Sequence, residues 1–169
     1  MQRCALVFLL LASLFLLPGA ATAQNAAPVV VESLGVTIHP PAGWNESRMA
    51  GNEKSLVAYV HTDTESQIEV LGTALESPEV ASVLFDTFHQ QLSNSDFVLF
   101  AGPKESQLGA YNGTLTEYAF SADGINLRVS VFSFVQGGAA FFVIGYFRAE
   151  ERDALYPTFE KLVEKLAFS

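Results

Sequence analysis

The sequence predicts an α+β fold: a largely antiparallel sheet with helices packed on both faces, a three-layer α/β/α sandwich. Three observations lead there. Two hairpin signals, Asp123-Gly124 and Gly137-Gly138, join strand-like runs in succession, and hairpins make antiparallel neighbours. The run AAFFVIGYF at 139–147 is apolar on both sides, so both faces of that strand need cover. Two segments, one within 77–95 and one within 155–168, change to helical spacing and supply that cover.

The chain opens with MQRCALVFLLLASLFLLPGAATAQ. Arg3 is a positive start, Ala5 to Leu17 is an apolar core too short to span a bilayer comfortably, and Pro18 and Gly19 break it. Ala21-Thr22-Ala23 is an A-x-A cleavage site. This is the layout of a secretory signal peptide over 1–23, which leaves 24–169 as a single domain, periplasmic or secreted. Cleavage removes Cys4, the only cysteine, and with it any disulfide, thiolate nucleophile or cysteine metal site. The domain must then hold together by its core.

The elements follow in order. VVVESLGVTI is strand-rich and stops at His39-Pro40-Pro41, because proline cannot donate to a ladder. Gly43 permits a turn, and Trp44, the only tryptophan, folds back as an apolar plug at the sheet's end; its alternative role is an exposed anchor for a ligand or partner. SLVAYVHT and SQIEVLGTAL are the next strands. In the second, Ile68 and Val70 alternate with Gln67 and Glu69, which predicts one wetter face. A helix follows in SPEVASVLFDTFHQQLSNS, with Ser77 as cap, Pro78 in the first turn and Glu79 at the positive end of the dipole. Its apolar stripe is Val80, Val83, Leu84, Phe88 and Leu92, with Ser82, Asp86, His89 and Gln90 opposite.

Strands return in DFVLFAGPKE, AYNGTLTEYAFS and INLRVSVFSFV. In the last, Ile125, Leu127, Val129 and Val131 alternate with Asn126, Arg128 and Ser130. Phe132 and Phe134 continue the polar side of that strand, so either a helix covers half of it or an apolar patch is exposed there. The closing segment LYPTFEKLVEKLAF puts Leu155, Phe159, Leu162, Val163 and Leu166 on one helical face, and Pro157 places the helix start near Tyr156.

The formal charge of the whole chain is −9, from nine Lys and Arg against eighteen Asp and Glu. Nucleic acid and anionic lipid surfaces both call for a basic patch, so neither is an expected partner. HTDTE would bring His61, Asp63 and Glu65 to one side if extended, the nearest approach to a divalent-metal cluster; the spacing equally fits a polar hairpin turn. No G-x-S-x-G is present, and QGGAA lacks the lysine and following helix of a phosphate loop. Glu150, Glu151 and Asp153, interleaved with Arg148 and Arg152, read as a solvated, salt-bridged helix start. Asn45 and Asn112 stand in glycosylation sequons, which matter only in a eukaryotic secretory pathway. The expectation is no metal, no cofactor and no catalysis.

A strand running into IHPPAGW, a long helix after the first hairpin, and the succession LGAYNGTLTEYAFSADGINLRVSVFSFVQGGAAFFVIGYF resemble PsbP-like proteins, as does a closing helix ending KLAFS. The resemblance covers nearly all of 24–169. It implies kinship with a superfamily that includes the photosystem II extrinsic protein PsbP, a Ran-binding protein of the Mog type and exported bacterial proteins, mainly non-catalytic binding or assembly factors. The expected function is therefore an exported interaction or assembly factor of the cell envelope. It would act as a monomer on an unidentified envelope protein, with no stable membrane anchor after signal cleavage. The alternative is a binder of a small apolar ligand or peptide on an aromatic sheet face, with Trp44, Phe132 and Phe134 as the candidate surface. A hydrolase with an unrecognised site is the third reading.

Overall fold

The structure is a computed structural model that describes residues 27–47, 54–122 and 124–169. The expected signal peptide at 1–23 lies outside the described residues. Strands β1 (Val29–Val31) and β2 (Val36–Ile38) form a small antiparallel hairpin rather than one continuous strand. The 3-10 turn Glu32–Leu34 reverses the chain, and Gly35 closes it at φ 59°, a conformation that disfavours side chains. β2 stops at Ile38, just ahead of the two prolines.

The main sheet follows: β3 (Trp44–Ser47), β4 (Ser55–His61), β5 (Gln67–Ala74), β6 (Val98–Leu108), β7 (Tyr111–Ala122), β8 (Ile125–Gln136) and β9 (Ala139–Arg148). Among the described residues the order is β3-β4-β5-β9-β8-β7-β6, every pairing antiparallel. The apolar run at 139–147 is thus the middle strand, buried throughout. Both expected hairpins are present: Ala122 pairs with Ile125, and Gln136 with Ala139. Gly137 and Gly138, at φ 59° and 77°, make the left-handed turn that a two-residue connection needs.

The wetter face expected of β5 is absent. Gln67 is 5 % exposed and Glu69 is fully buried, because β5 is an interior strand between β4 and β9. Glu69 pairs in register with Ile144 and lies beside the buried Tyr146, whose hydroxyl is held well above its ordinary pKa by burial and then by the Glu69 charge.

Helix α1 (Val80–Ser93) starts later than its sequence signals. Ser77 and Pro78 offer backbone carbonyls to Val80 and Ala81 instead, in two turns that lead into it. Glu79 stands at the N-cap, and the Ser77 hydroxyl beside its carboxylate lowers its pKa. The buried stripe is also rotated. Ala81 and Leu92 are buried and Leu84, Phe85 and Phe88 pack inward, whereas Val80 and Val83 are 43 % and 63 % exposed.

Helix α2 spans Arg152–Glu164, so Pro157 is inside it and not in its first turn. The missing N–H forfeits only the bond to Asp153, in the first turn, where the helix is least dependent on its own ladder. The segment KLAFS does not end this helix: Ala167–Phe168 forms β10 and pairs with β2, Phe168 opposite Val36. The hydroxyl of Tyr111 donates to the Leu166 carbonyl at 2.5 Å, and Gly109 admits the end of α2 so closely that a Cβ there would lie 2.9 Å from the Cα of Glu164.

Two buried clusters hold the fold. Phe132, Phe134, Phe141, Val143 and Phe147 share one with Leu155, Phe159, Leu162 and Val163 of α2, and with Trp44. Val129, Val131, Phe142, Ile144 and Tyr146 share the other with Leu92, while Leu84, Phe85 and Phe88 of α1 pack against it. The architecture is α+β, dominated by antiparallel sheet, with two α-helices among the described residues.

Candidate functional site: a cleft beside the first helix

His61, Asp63 and Glu65 do not converge. They belong to the β4–β5 turn, closed by the His61 N–H to the Ser66 carbonyl at 2.8 Å and the Glu65 N–H to the His61 carbonyl at 3.2 Å. Nδ1 of His61 lies 3.2 Å from the Thr64 hydroxyl, and its ring stands edge-on to Trp44 at 5.2 Å. Glu65 is turned the other way, to an ion pair with Arg148 at 3.0 Å. Asp63 is exposed. No three His, Cys, Asp or Glu side chains among the described residues are grouped to hold a metal ion.

The candidate partner surface is interior. Trp44 is 5 % exposed, Phe132 0 % and Phe134 2 %. Trp44 begins an edge strand and turns into the α2-side cluster, in keeping with a plug. Phe134 stacks on Phe141 at 5.3 Å and on Tyr111 at 5.2 Å, with Phe168 of β10 standing edge-on to it at 6.4 Å. Among the described residues the aromatic sheet face is filled by its own chain.

The helix start at 150–153 also differs from a purely solvated one. Arg152 reaches across to Glu117 on β7, in a close ion pair that Ser130 joins by donating to the same oxygen at 3.2 Å. Its guanidinium lies 3.9 Å above the Tyr156 ring. This half-buried clasp ties α2 to the sheet through charge-assisted hydrogen bonds, and burial lifts the Tyr156 hydroxyl to about 12.

Open space lies on the other side, where α1 crosses β5 and β9. A cleft of about 100 Å³ is floored by Leu71, Ala140 and Phe142 and walled by Leu84 and Phe88. Phe88 lies 4.4 Å from Phe142, and Phe85 meets the same ring edge-on at 5.2 Å, so the floor is a packed aromatic group. The mouth is polar: Lys54, Thr73, Thr87 and Gln91 line it. Lys54 is held beside β5 by its carbonyl, which accepts from the Gly72 N–H at 3.1 Å. Thr87 and Gln91 are one helical turn apart on α1, and exposed Val80 and Val83 fall on the same flank. Among the described residues the lining contains no histidine and no carboxylate.

The opposite flank of α1 carries His89. Its Nδ1 shares a hydrogen bond of 2.7 Å with the Tyr118 hydroxyl of β7. Burial lowers the His89 pKa, against a smaller opposing pull from Asp86, and burial raises that of Tyr118. The pair is a neutral hydrogen-bonded clasp, with Asp86 exposed nearby in a shallow polar depression. Helical spacing put His89 on a solvent face; the stripe keeps Leu84, Phe88 and Leu92 but turns toward Ala81 and Phe85, which brings His89 to the sheet. Periodicity could have placed Thr87 and Gln91 together on one flank. Nothing in the sequence places Lys54 or Leu71 opposite them.

No protein-family model matches the sequence, and no curated protein matches it. Solved structures do match. LpqN of Mycobacterium tuberculosis, described as involved in cell envelope biogenesis, aligns with a TM-score of 0.59 at 13 % identity, over 85 % of this chain and 90 % of its own. The cyanobacterial PsbP of Synechocystis aligns with a TM-score of 0.57 at 13 % identity, over 91 % of this chain and 99 % of its own. A Bacteroides thetaiotaomicron protein aligns at 0.54 and 13 % identity over 86 % of this chain, which spans about half (49 %) of that longer one. The alignments span most of this chain and nearly the full length of both LpqN and the cyanobacterial PsbP: the chain has a PsbP-like fold.

Proposed function

We propose that this protein is an exported interaction or assembly factor of the cell envelope. It is processed after Ala23 and engages an envelope protein without chemistry. The reading rests chiefly on the cleft beside α1, which combines an apolar floor, hydrogen-bonding groups at its mouth and exposed valines, with neither histidine nor carboxylate among the described residues of its lining. Such a site suits binding: its described lining offers no general base and no activated nucleophile. The PsbP-like fold and the envelope-biogenesis description of LpqN agree with it by analogy. No helix among the described residues is long and apolar enough to cross a membrane, and the sequence of 1–23 supplies export.

We infer the layering to be a three-layer sandwich, the two buried clusters being the opposite faces of one sheet and α1 and α2 their covers. Neighbouring residues Phe141 and Phe142 fall in different clusters, as the two-residue period of a strand requires.

The test is made in the source cell. Intact mass should give a chain beginning at Gln24 in the soluble envelope fraction. A photoreactive side chain at Val83 should then give one discrete adduct with an envelope protein, and the same group at Glu150 none. Retention of Met1 in a membrane fraction, or indistinguishable adducts from both positions, overturns the reading.

A further inference from the structure

We propose that the outer edge of β6 is a self-association surface, on which two copies of this protein pair antiparallel about Phe100. The inference goes beyond the envelope-factor reading and does not rest on the cleft beside α1. It replaces the expected monomer by a two-fold dimer.

The edge itself comes first. Among the described residues β6 closes the main sheet, with β7 on one side and no strand on the other. Such an edge offers N–H and C=O groups to another chain, and is usually kept short, bent or charged. The opposite edge follows that rule, since β3 has four residues. β6 has eleven, and 98–105 are exposed without a break. Val98, Leu99 and Phe100 are each more than half exposed. Successive side chains point to opposite faces of a strand, so no single layer covers all three, and neither buried cluster takes one in. Phe100 is also held in place, with the Arg128 guanidinium 3.3 Å from its ring centroid.

Chemistry then selects a second copy. Along the edge come Asp96, the apolar stretch Val98 to Ala101, and Lys104. Paired antiparallel about Phe100, the apolar stretch of one copy meets that of the other. Asp96 of each copy then falls opposite Lys104 of its mate, because both lie four residues from Phe100. Both are exposed, and neither has an ion-pair partner among the described residues. A two-fold axis makes this pair twice. The formal charge of −9 on each chain opposes association in general. Physiological salt screens that repulsion beyond about 8 Å, whereas the two pairs act in contact. Pro103, which has no N–H, and the register shifts between Leu99 and Lys104 keep the ladder short. The dimer is accordingly weak, with a dissociation constant on the order of micromolar.

Sedimentation equilibrium of the processed protein at physiological salt tests this, and should show monomer and dimer exchanging in that range. Leu99→Lys should leave a monomer with an unchanged melting temperature, since the side chain it replaces is exposed. Lys104→Glu should weaken the dimer about tenfold by turning the attraction to Asp96 into repulsion. Adding Asp96→Asn, a change that the positive φ of 65° there tolerates, should recover most of the loss. Removal of Cys4 with the signal peptide leaves no thiol, so Phe100→Cys supplies one on the two-fold axis. Mild oxidation should link two copies through it, whereas Gln107→Cys, exposed farther along the same strand, should stay unlinked. A chain that stays monomeric into the millimolar range leaves the edge to another protein and overturns the inference. So do assembly beyond a dimer, association unchanged in both Leu99→Lys and Lys104→Glu, or equal linking through the two cysteine positions.

Discussion

Nδ1 of His89 lies 2.7 Å from the hydroxyl of Tyr118, and this one hydrogen bond joins the middle of α1 to β7. Its worth depends on pH. Burial depresses the folded-state pKa of His89 below the ordinary 6.5, while Asp86 opposes the shift without cancelling it. For a base with a depressed folded pKa, the unfolded chain takes up the proton first. Stability is therefore unaffected above pH 6.5 and falls as the pH drops below it, toward the folded pKa. Urea melts across that interval should show the decline. His89→Gln, which can still accept from Tyr118, should flatten it; parallel declines in both proteins mean that another group is responsible.

Trp44 is 5 % exposed and packs edge-on to His61. Trp44→Ala should cost about 3 kcal/mol, the usual range for emptying such a site. Native emission should be blue-shifted and move red on unfolding. Solvent-like native emission would put the ring outside.

Phe132 and Phe134 support the fold and not a surface. Phe134→Ala should cost about 4 kcal/mol through the cavity it leaves. Gly113→Ala should be comparably harmful without removing any atom, because the added Cβ meets the Ser133 carbonyl and comes within 2.8 Å of the Phe132 ring. Denaturant midpoints measure both; a shift of only a few tenths of a kcal/mol in either would show that the strand pair gives way easily.

The β4–β5 turn should behave as a turn. Asp63→Ala and Glu65→Ala should change stability by no more than about 0.5 kcal/mol, since Asp63 is exposed and the Glu65–Arg148 pair is open to solvent. His61→Ala should cost somewhat more, about 1 kcal/mol, by removing the ring beside Trp44. Calorimetry with zinc, calcium and manganese should give no stoichiometric isotherm. A micromolar site abolished by His61→Ala would make this turn a metal centre after all.

What the sequence determined alone was local. Asp123-Gly124 and Gly137-Gly138 name their own turns, because only a two-residue loop with positive φ matches the twist of paired strands. The run 139–147 announces a strand buried on both faces, because no solvated face could carry it. Neighbours far apart in sequence decided the rest. Glu69 and Gln67 read as a wet face until β4 and β9 flank them. Val83 and His89 read as inside and outside, and the α1–sheet docking angle exchanges them. The cleft assembles Lys54, Leu71, Thr87 and Ala140 from four separate segments. Periodicity states which residues share one element's face, and carries no information on which other element that face will meet.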